Sequence, residues 1–202
     1  NQVCETLNIT KYQLDNSGLT IHTTFDHNIQ RILTENSNLT SNFSNSNVDH
    51  SSIVLDNDTG YVLAYHSSLD YEVFRQLGST IKPLVVYAPA LESGLVSLAT
   101  PINDEQISFG GWSPKNYGDK YFGIITPREA IKKSSNTVAV KIASYVGESK
   151  VVEYGRKFNL TLTDKDKNLT TALGATEKGQ SPLRLATAYS TFANEGQIVT
   201  PT

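Results

Sequence analysis

The sequence predicts an α/β fold of the α+β kind, with a few strands set around a helical block. Three observations carry that prediction. Residues 53–65 read as a β-hairpin, the chain turns mainly helical from about residue 79, and the composition is that of an ordinary globular protein. Of the 202 residues, 38% are hydrophobic and 18% charged, enough for one good-sized domain. No run of 18 apolar residues occurs, so no membrane span lies within this stretch.

The first 45 residues are expected to form a lead-in of strand and helix, and residues 46–202 a single domain. Leu19, Ile21 and Thr23 alternate as a strand does, and Ile29, Ile32 and Leu33 then follow helical spacing. Residues 35–52 are polar and rich in Asn and Ser, which predicts a mobile loop. Ile53-Val54-Leu55 and Tyr61-Val62-Leu63-Ala64-Tyr65 are rich in β-branched and aromatic residues. Between them Asp56-Asn57-Asp58-Thr59-Gly60 supplies the residue types a turn needs. Further on, Thr126-Pro127-Arg128-Glu129 reads as a helix start, with a capping threonine, a proline at the first helical position and a capping box closed by Glu129. Helices are predicted over 137–145 and 149–158, separated near Gly147. Another starts at Ser181-Pro182, places Leu185, Ala188, Tyr189 and Phe192 on one face, and stops at Asn194 and Gly196. No internal repeat is evident.

Composition also excludes several functions. The net charge is −3 and no basic stripe is present, which argues against a nucleic-acid partner. Cys4 is the only cysteine, so neither an internal disulfide nor a thiolate metal cluster is available. His22, His27, His50 and His66 share no metal-ligand spacing, and no metal or cofactor is expected. The chain lacks any Met and any signal-peptide pattern at its start. It therefore reads as a piece of something longer, which leaves room for an upstream membrane anchor.

The most informative segment is Arg75-Gln76-Leu77-Gly78-Ser79-Thr80-Ile81-Lys82-Pro83. Pro83 has no N–H and belongs within the first turn of a helix, which puts the helix start near Gly78 or Ser79. Ser79 would then lie where free backbone N–H groups favour developing negative charge. Lys82 falls one turn on, on the same face. A serine hydroxyl is a poor nucleophile until a base takes its proton, and a lysine whose pKa burial has lowered is such a base. On its own, the spacing also describes a capping serine followed by a solvated lysine.

Ser134-Ser135-Asn136 separates two apolar-periodic segments and reads first as an inter-helical loop. Near Lys82, however, Ser134 would offer a hydroxyl for proton relay, and the Asn136 amide would hold both the lysine and a substrate carbonyl.

Together the two motifs resemble, in order and rough spacing, those of the penicillin-binding protein and serine β-lactamase superfamily. The segment 75–83 looks like the nucleophile segment of class A, bifunctional penicillin-binding proteins. Thr126 to Asn136 is similar to their second motif with its leading helix, and Asp56 to Ala64 to the hairpin before the nucleophile. Thr100-Pro101-Ile102-Asn103-Asp104 and Ser181 to Ala186 also match familiar stretches. The resemblance covers residues from about 19 to 202. It implies an antiparallel sheet flanked by helices, with a helical subdomain, in a protein at the extracytoplasmic face of the bacterial envelope. It also implies a peptidoglycan D,D-transpeptidase. Ser79 would attack the D-Ala-D-Ala carbonyl of a stem peptide, release D-alanine, and pass the acyl group to a neighbouring amine; β-lactams would acylate Ser79 instead. Lys82 would be the base, Ser134 the relay and Asn136 the positioning amide, with the Ser79 N–H as half of an oxyanion hole. Trp112, Tyr117 and Tyr121, between the motifs, would line the peptide groove.

The family's third element, K-T-G or K-S-G on a strand, does not occur in this sequence. The family places it after the Ser181 helix, so these residues alone are expected to be inactive, with a second fragment of the same protein completing the site. Rival readings are a serine β-lactamase, a β-lactam-sensing domain, and a structural domain whose catalytic role has decayed and in which Ser79 is merely a cap. Against the first, no Glu-x-x-Leu-Asn follows Asn136, and Ser135 stands where that family's second motif has Asp.

Overall fold

Alternating β-branched and aromatic residues in two runs joined by a turn form an antiparallel hairpin. Strand β1 (Ser51–Leu55) pairs with β2 (Val62–Ser67), Ile53 facing Tyr65 and Val54 facing Ala64, with a register shift between Val54 and Leu55. In the turn, one Asp56 carboxylate oxygen accepts from the N–H of Asp58 (3.1 Å), the N–H of Thr59 (2.8 Å) and the Thr59 hydroxyl (2.7 Å). Those donors, the Thr59 hydroxyl foremost, hold the Asp56 carboxyl below the usual carboxylate range. Gly60 closes the turn at φ 75°. A Cβ there would stand 2.6 Å from the carbonyl oxygen of Thr200, because residues 200–202 run alongside. The Val62 N–H donates to the Thr202 carbonyl (2.9 Å) and the Thr202 N–H to that of Gly60 (3.1 Å). This is a computed structural model, and it describes residues 2–39, 48–69 and 73–202.

The lead-in departs from the expected strand. It forms two short helices, α1 (Gln2–Leu7) and α2 (Lys11–Asp15), before α3 (His27–Ser37). Leu19 to Thr23 is irregular, and Leu19 and Ile21 are exposed. Alternation makes a strand only where a neighbouring backbone accepts its ladder, and no such partner lies beside 19–23 among the described residues. The segment is instead fastened a few residues later, where the Thr24 hydroxyl donates to Val62 O (2.8 Å) and the Asp26 N–H to Leu63 O (2.9 Å). Asp26 caps α3, and Gln30 on α3 grips β2 through both the N–H and the carbonyl of Tyr65. Of the loop expected over 35–52, α3 takes residues up to Ser37, β1 begins at Ser51, and 40–47 lie outside the described residues.

The helical block follows the predicted boundaries to within a residue or so. Helices α5 (Pro127–Lys133), α6 (Asn136–Val146), α7 (Glu148–Lys157) and α8 (Pro182–Ala193) succeed α4 (Ala88–Glu92). Thr126 caps α5 through the Glu129 N–H (3.3 Å), but Glu129 returns no side-chain bond, so the expected capping box is half formed. The core is built around the segment leading into α4. Ile81, Leu84, Val85, Val86, Tyr87 and Ala90 are buried against Val138, Ala139, Ile142 and Ala143 of α6 and Val151 and Val152 of α7. A second hairpin, β3 (Ile102–Asp104) with β4 (Gly123–Ile125), lies against α6. Among the described residues the sheet component is therefore two separate two-stranded antiparallel pairs beside a helical block.

Candidate active site

Ser79 sits near the start of a helical run whose turns change width along its length. Gly78–Ile81 is a 3₁₀ turn, Pro83–Tyr87 a π turn, and α4 completes the run. Pro89 accounts for the wide turn. Pro89 cannot donate to the carbonyl four residues back, and its ring crowds that carbonyl, so the Ala88 N–H reaches instead to Pro83 O. Pro83 needs no N–H partner this early in the run, as its position in the sequence predicts.

The approach to Ser79 is fixed from a distant loop. Gln76 donates to Thr176 O (2.6 Å) and accepts from the N–H (2.8 Å) and hydroxyl (2.9 Å) of Thr176. Arg75 and Gln180 exchange backbone bonds. Gly78 is left-handed at φ 53°, and Gly174 lies so close that a Cβ on it would stand 2.2 Å from the Gly78 carbonyl oxygen. From α8, the Tyr189 hydroxyl donates to Thr80 O (2.7 Å). Ser79 itself is exposed, and among the described residues its hydroxyl has no hydrogen-bond partner.

Lys82 is the opposite, with 2% of its surface exposed. Its backbone N–H donates to Ser79 O, one turn back. Its Nζ donates to Ser134 O (2.8 Å), Ser134 Oγ (3.2 Å) and Asn136 Oδ1 (2.5 Å). Burial penalises the ammonium and brings the pKa down to about 8. Three acceptors match the three protons of an ammonium. Loss of one proton leaves an amine that still donates to the two carbonyl oxygens and turns a lone pair outward. Of its present partners, only the Ser134 hydroxyl is able to reverse its bond and donate to that lone pair.

Local conformation delivers both partners from one turn. Ser134 ends α5 in the left-handed region (φ 53°), and its carbonyl and hydroxyl both reach Lys82. Ser135 then caps α6 through the Val138 N–H (3.1 Å). Asn136 opens α6, its Nδ2 donating to Lys115 O (2.7 Å). The structure thus joins Lys82, Ser134 and Asn136 directly, whereas Ser79 meets Lys82 only through the backbone.

The three aromatics behave differently from one another. Tyr117 is 99% exposed in a short turn, and Trp112 is half-buried, bonded through its backbone to Phe109. Tyr121 lines a pocket of about 360 Å³ with Gln106, Ile107, Pro114 and Lys115, the last of which accepts the bond from Asn136. None of the three is among the hydrogen-bond partners of the Lys82 ammonium. Sequence reasoning did not place Asp104 and Asn116 at the site, although both are buried behind the 134–136 turn. The one available signal was Asp104, a carboxylate in the otherwise uncharged run Thr100 to Asp104.

A helical block that carries an exposed serine one turn from a buried lysine, beside short antiparallel strands, has the fold of penicillin-binding transpeptidase domains. PonA1 from Mycobacterium tuberculosis in complex with penicillin V superposes on 99% of this chain, and 58% of its own, with a TM-score of 0.85 at 22% identity. The transpeptidase domain of Burkholderia pseudomallei penicillin-binding protein 3 does so on 87% of this chain, and 59% of its own, with a TM-score of 0.75 at 22% identity. Residues 51–202 match the penicillin binding protein transpeptidase domain, and the chain belongs to that family. Among its relatives, penicillin-binding protein 1F of Bacillus subtilis is 34% identical over 207 residues, covering 96% of this chain and 28% of that protein. Penicillin-binding protein 1A of Clostridium botulinum is 31% identical over 213 residues, covering 91% of this chain and 26% of that protein. The chain thus spans between a quarter and a third of these relatives' length.

Proposed function

We propose that this chain carries the nucleophile-bearing half of a peptidoglycan D,D-transpeptidase site that works through a serine acyl-enzyme. Ser79 attacks the penultimate D-alanine carbonyl of a stem peptide, the C–N bond to the terminal D-alanine breaks, and an amine of a second stem peptide then takes the acyl group. Lys82 accepts the Ser79 proton, Ser134 carries a proton toward the leaving amine, and Asn136 holds the lysine and the substrate carbonyl. The Ser79 N–H is one donor to the oxyanion. Tyr121, beside the Lys115 carbonyl, belongs to the groove that takes the peptide. A penicillin enters the same path and leaves Ser79 acylated. A strand bearing K-T-G elsewhere in the same protein completes the site, at the extracytoplasmic face of a bacterial membrane.

The observation that carries this reading is Lys82. A buried amine with a pKa near 8 is neutral in about a tenth of molecules at pH 7, against fewer than about one in a thousand for a solvated lysine. In a chain of this family, one turn from an exposed serine, such an amine supports the general-base reading.

The test is a fluorescent penicillin applied to the full-length protein, with the labelled residue located by peptide mass. Stable, stoichiometric label on Ser79, abolished in Ser79→Ala, together with cross-linking of lipid-linked wall precursor, is the expected result. Rapid release of the label would instead mean a β-lactamase, and stable label without cross-linking a sensor. Label elsewhere than Ser79, or none, would overturn the assignment.

A further inference from the structure

Behind the Ser134–Asn136 turn lies a buried polar cluster that the proposed chemistry does not use. Asp104, at the end of β3, is 1% exposed and Asn116 is 6% exposed. One Asp104 carboxylate oxygen accepts from Asn116 Nδ2 (2.9 Å), the Ser135 hydroxyl (3.0 Å) and the Thr137 hydroxyl. The other accepts from Asn116 Nδ2 (3.0 Å) and the Phe122 N–H (3.1 Å). Every contact is a donor, and among the described residues no cation pairs with this carboxylate. Asn116, with its Nδ2 fixed to Asp104 and to Lys120 O (2.9 Å), turns its Oδ1 to the N–H of Asn136 (2.7 Å) and of Thr137 (3.2 Å).

The direction of these bonds matters. An amide side chain can present either end, and its sense is set by pure acceptors at its nitrogen and pure donors at its oxygen. The carboxylate, together with Lys120 O, holds the Asn116 nitrogen, and the Asn116 oxygen meets the first two free N–H groups of α6, whose first residue is the Asn136 that grips Lys82. A negative charge is also favourable at that end of the helix.

We propose that Asp104 is a positioning residue for the acylation step, acting through Asn116 to fix where Asn136 and Ser134 meet Lys82. The inference rests on the transpeptidase reading above and adds to it a pair of residues outside the two motifs. Asp104→Asn keeps the shape, but because Asn116 Nδ2 faces both carboxylate oxygens, either orientation of the new amide sets an N–H₂ against that N–H₂, which loosens Asn116 from its place at the helix start.

The test is saturation kinetics of penicillin acylation in the full-length protein, with every rate divided by the number of sites that label to completion. Asp104→Asn is expected to lower the acylation rate constant per site by about tenfold or more, the scale of a small misplacement of reacting groups. Should that variant fail to fold, Thr137→Val removes one donor to the carboxylate at constant volume and is expected to slow acylation in the same direction. Thr137→Ser restores the hydroxyl and the rate. If the variants lose only labelled sites or melting temperature while each remaining site acylates within twofold of the parent, the inference is wrong. Wild-type protein that never labels at Ser79 would sink the transpeptidase reading instead, so the two failures are distinct.

Discussion

Among single residues, Lys82 carries the strongest consequence, because its proton equilibrium links reactivity to stability. Only the neutral amine accepts a proton, so acylation by a penicillin is expected to rise with pH through an acid limb near pH 8. A flat profile between pH 6 and 9 would remove Lys82 as base. Stability moves in the same direction. The folded state holds this proton less tightly than the unfolded chain, whose lysine keeps its ordinary value of 10.5. The penalty is therefore present in full below pH 8 and is relieved as pH rises from 8 toward 10.5. Relative to Lys82→Met, wild-type protein is expected to gain up to about 3 kcal/mol of unfolding free energy across that window, read from denaturant melts at each pH. The Tyr87 hydroxyl, pushed up by burial and then by the Asp104 charge, keeps its proton through this window in the folded state; it is common to both proteins, so any contribution from its titration in the unfolded chain cancels in the difference.

At the scale of elements, the segment carrying Ser79 and Lys82 is approached closely by the 174–180 loop, by α8 and by α7. Gly155 of α7 shows how closely. A Cβ there would lie 2.2 Å from Leu162 Cδ1 and 3.3 Å from Val85 Cγ1. Helix propensity alone favours Gly→Ala by about 1 kcal/mol, but the buried Leu162 would have to move within a filled core. Gly155→Ala is therefore expected to destabilise by about 1–3 kcal/mol in equilibrium melts; an increase in stability would show slack around Val85 that the structure does not have. This scale also shows what was legible in the sequence. Helices α5 to α8 were readable because caps, prolines and apolar spacing agreed. The start of the Ser79 segment was readable because Pro83 limits where a helix begins. The π turn was hidden, since it follows from what Pro89 does to the carbonyl four residues back, which apolar spacing does not report. The strand expected at 19–23 failed because alternation says nothing about whether a partner backbone is near. Asp104 and Asn116 were missed because their role depends on contacts across 12 to 33 positions of sequence, which spacing within one element does not report.

For the whole molecule, residues distant in the chain meet at small points of contact. Lys82 draws on a turn 52 positions away, and Gln76 on Thr176, 100 positions away. The hairpin depends on the longest-range of these contacts. Gly60→Ala would drive a methyl into the Thr200 carbonyl and force a residue with φ 75° to carry a side chain. It is expected to cost about 2 kcal/mol or more and to free the amides of Val62 and Thr202 to exchange, which hydrogen-exchange protection at those two positions would report. Unchanged protection would mean that residues 200–202 do not seat on the hairpin.

That seating has a consequence for the order of events during synthesis. On a ribosome, the residues around Gly60 emerge well before their partner, Thr202, has been made. The hairpin must then wait, with the Val62 amide and the Thr24 hydroxyl lacking one of their final acceptors, until residue 202 clears the exit tunnel. For a contact this distant the loop must close before the bond forms, so the β1–β2 edge is expected to lock after the helices, whose bonds are local.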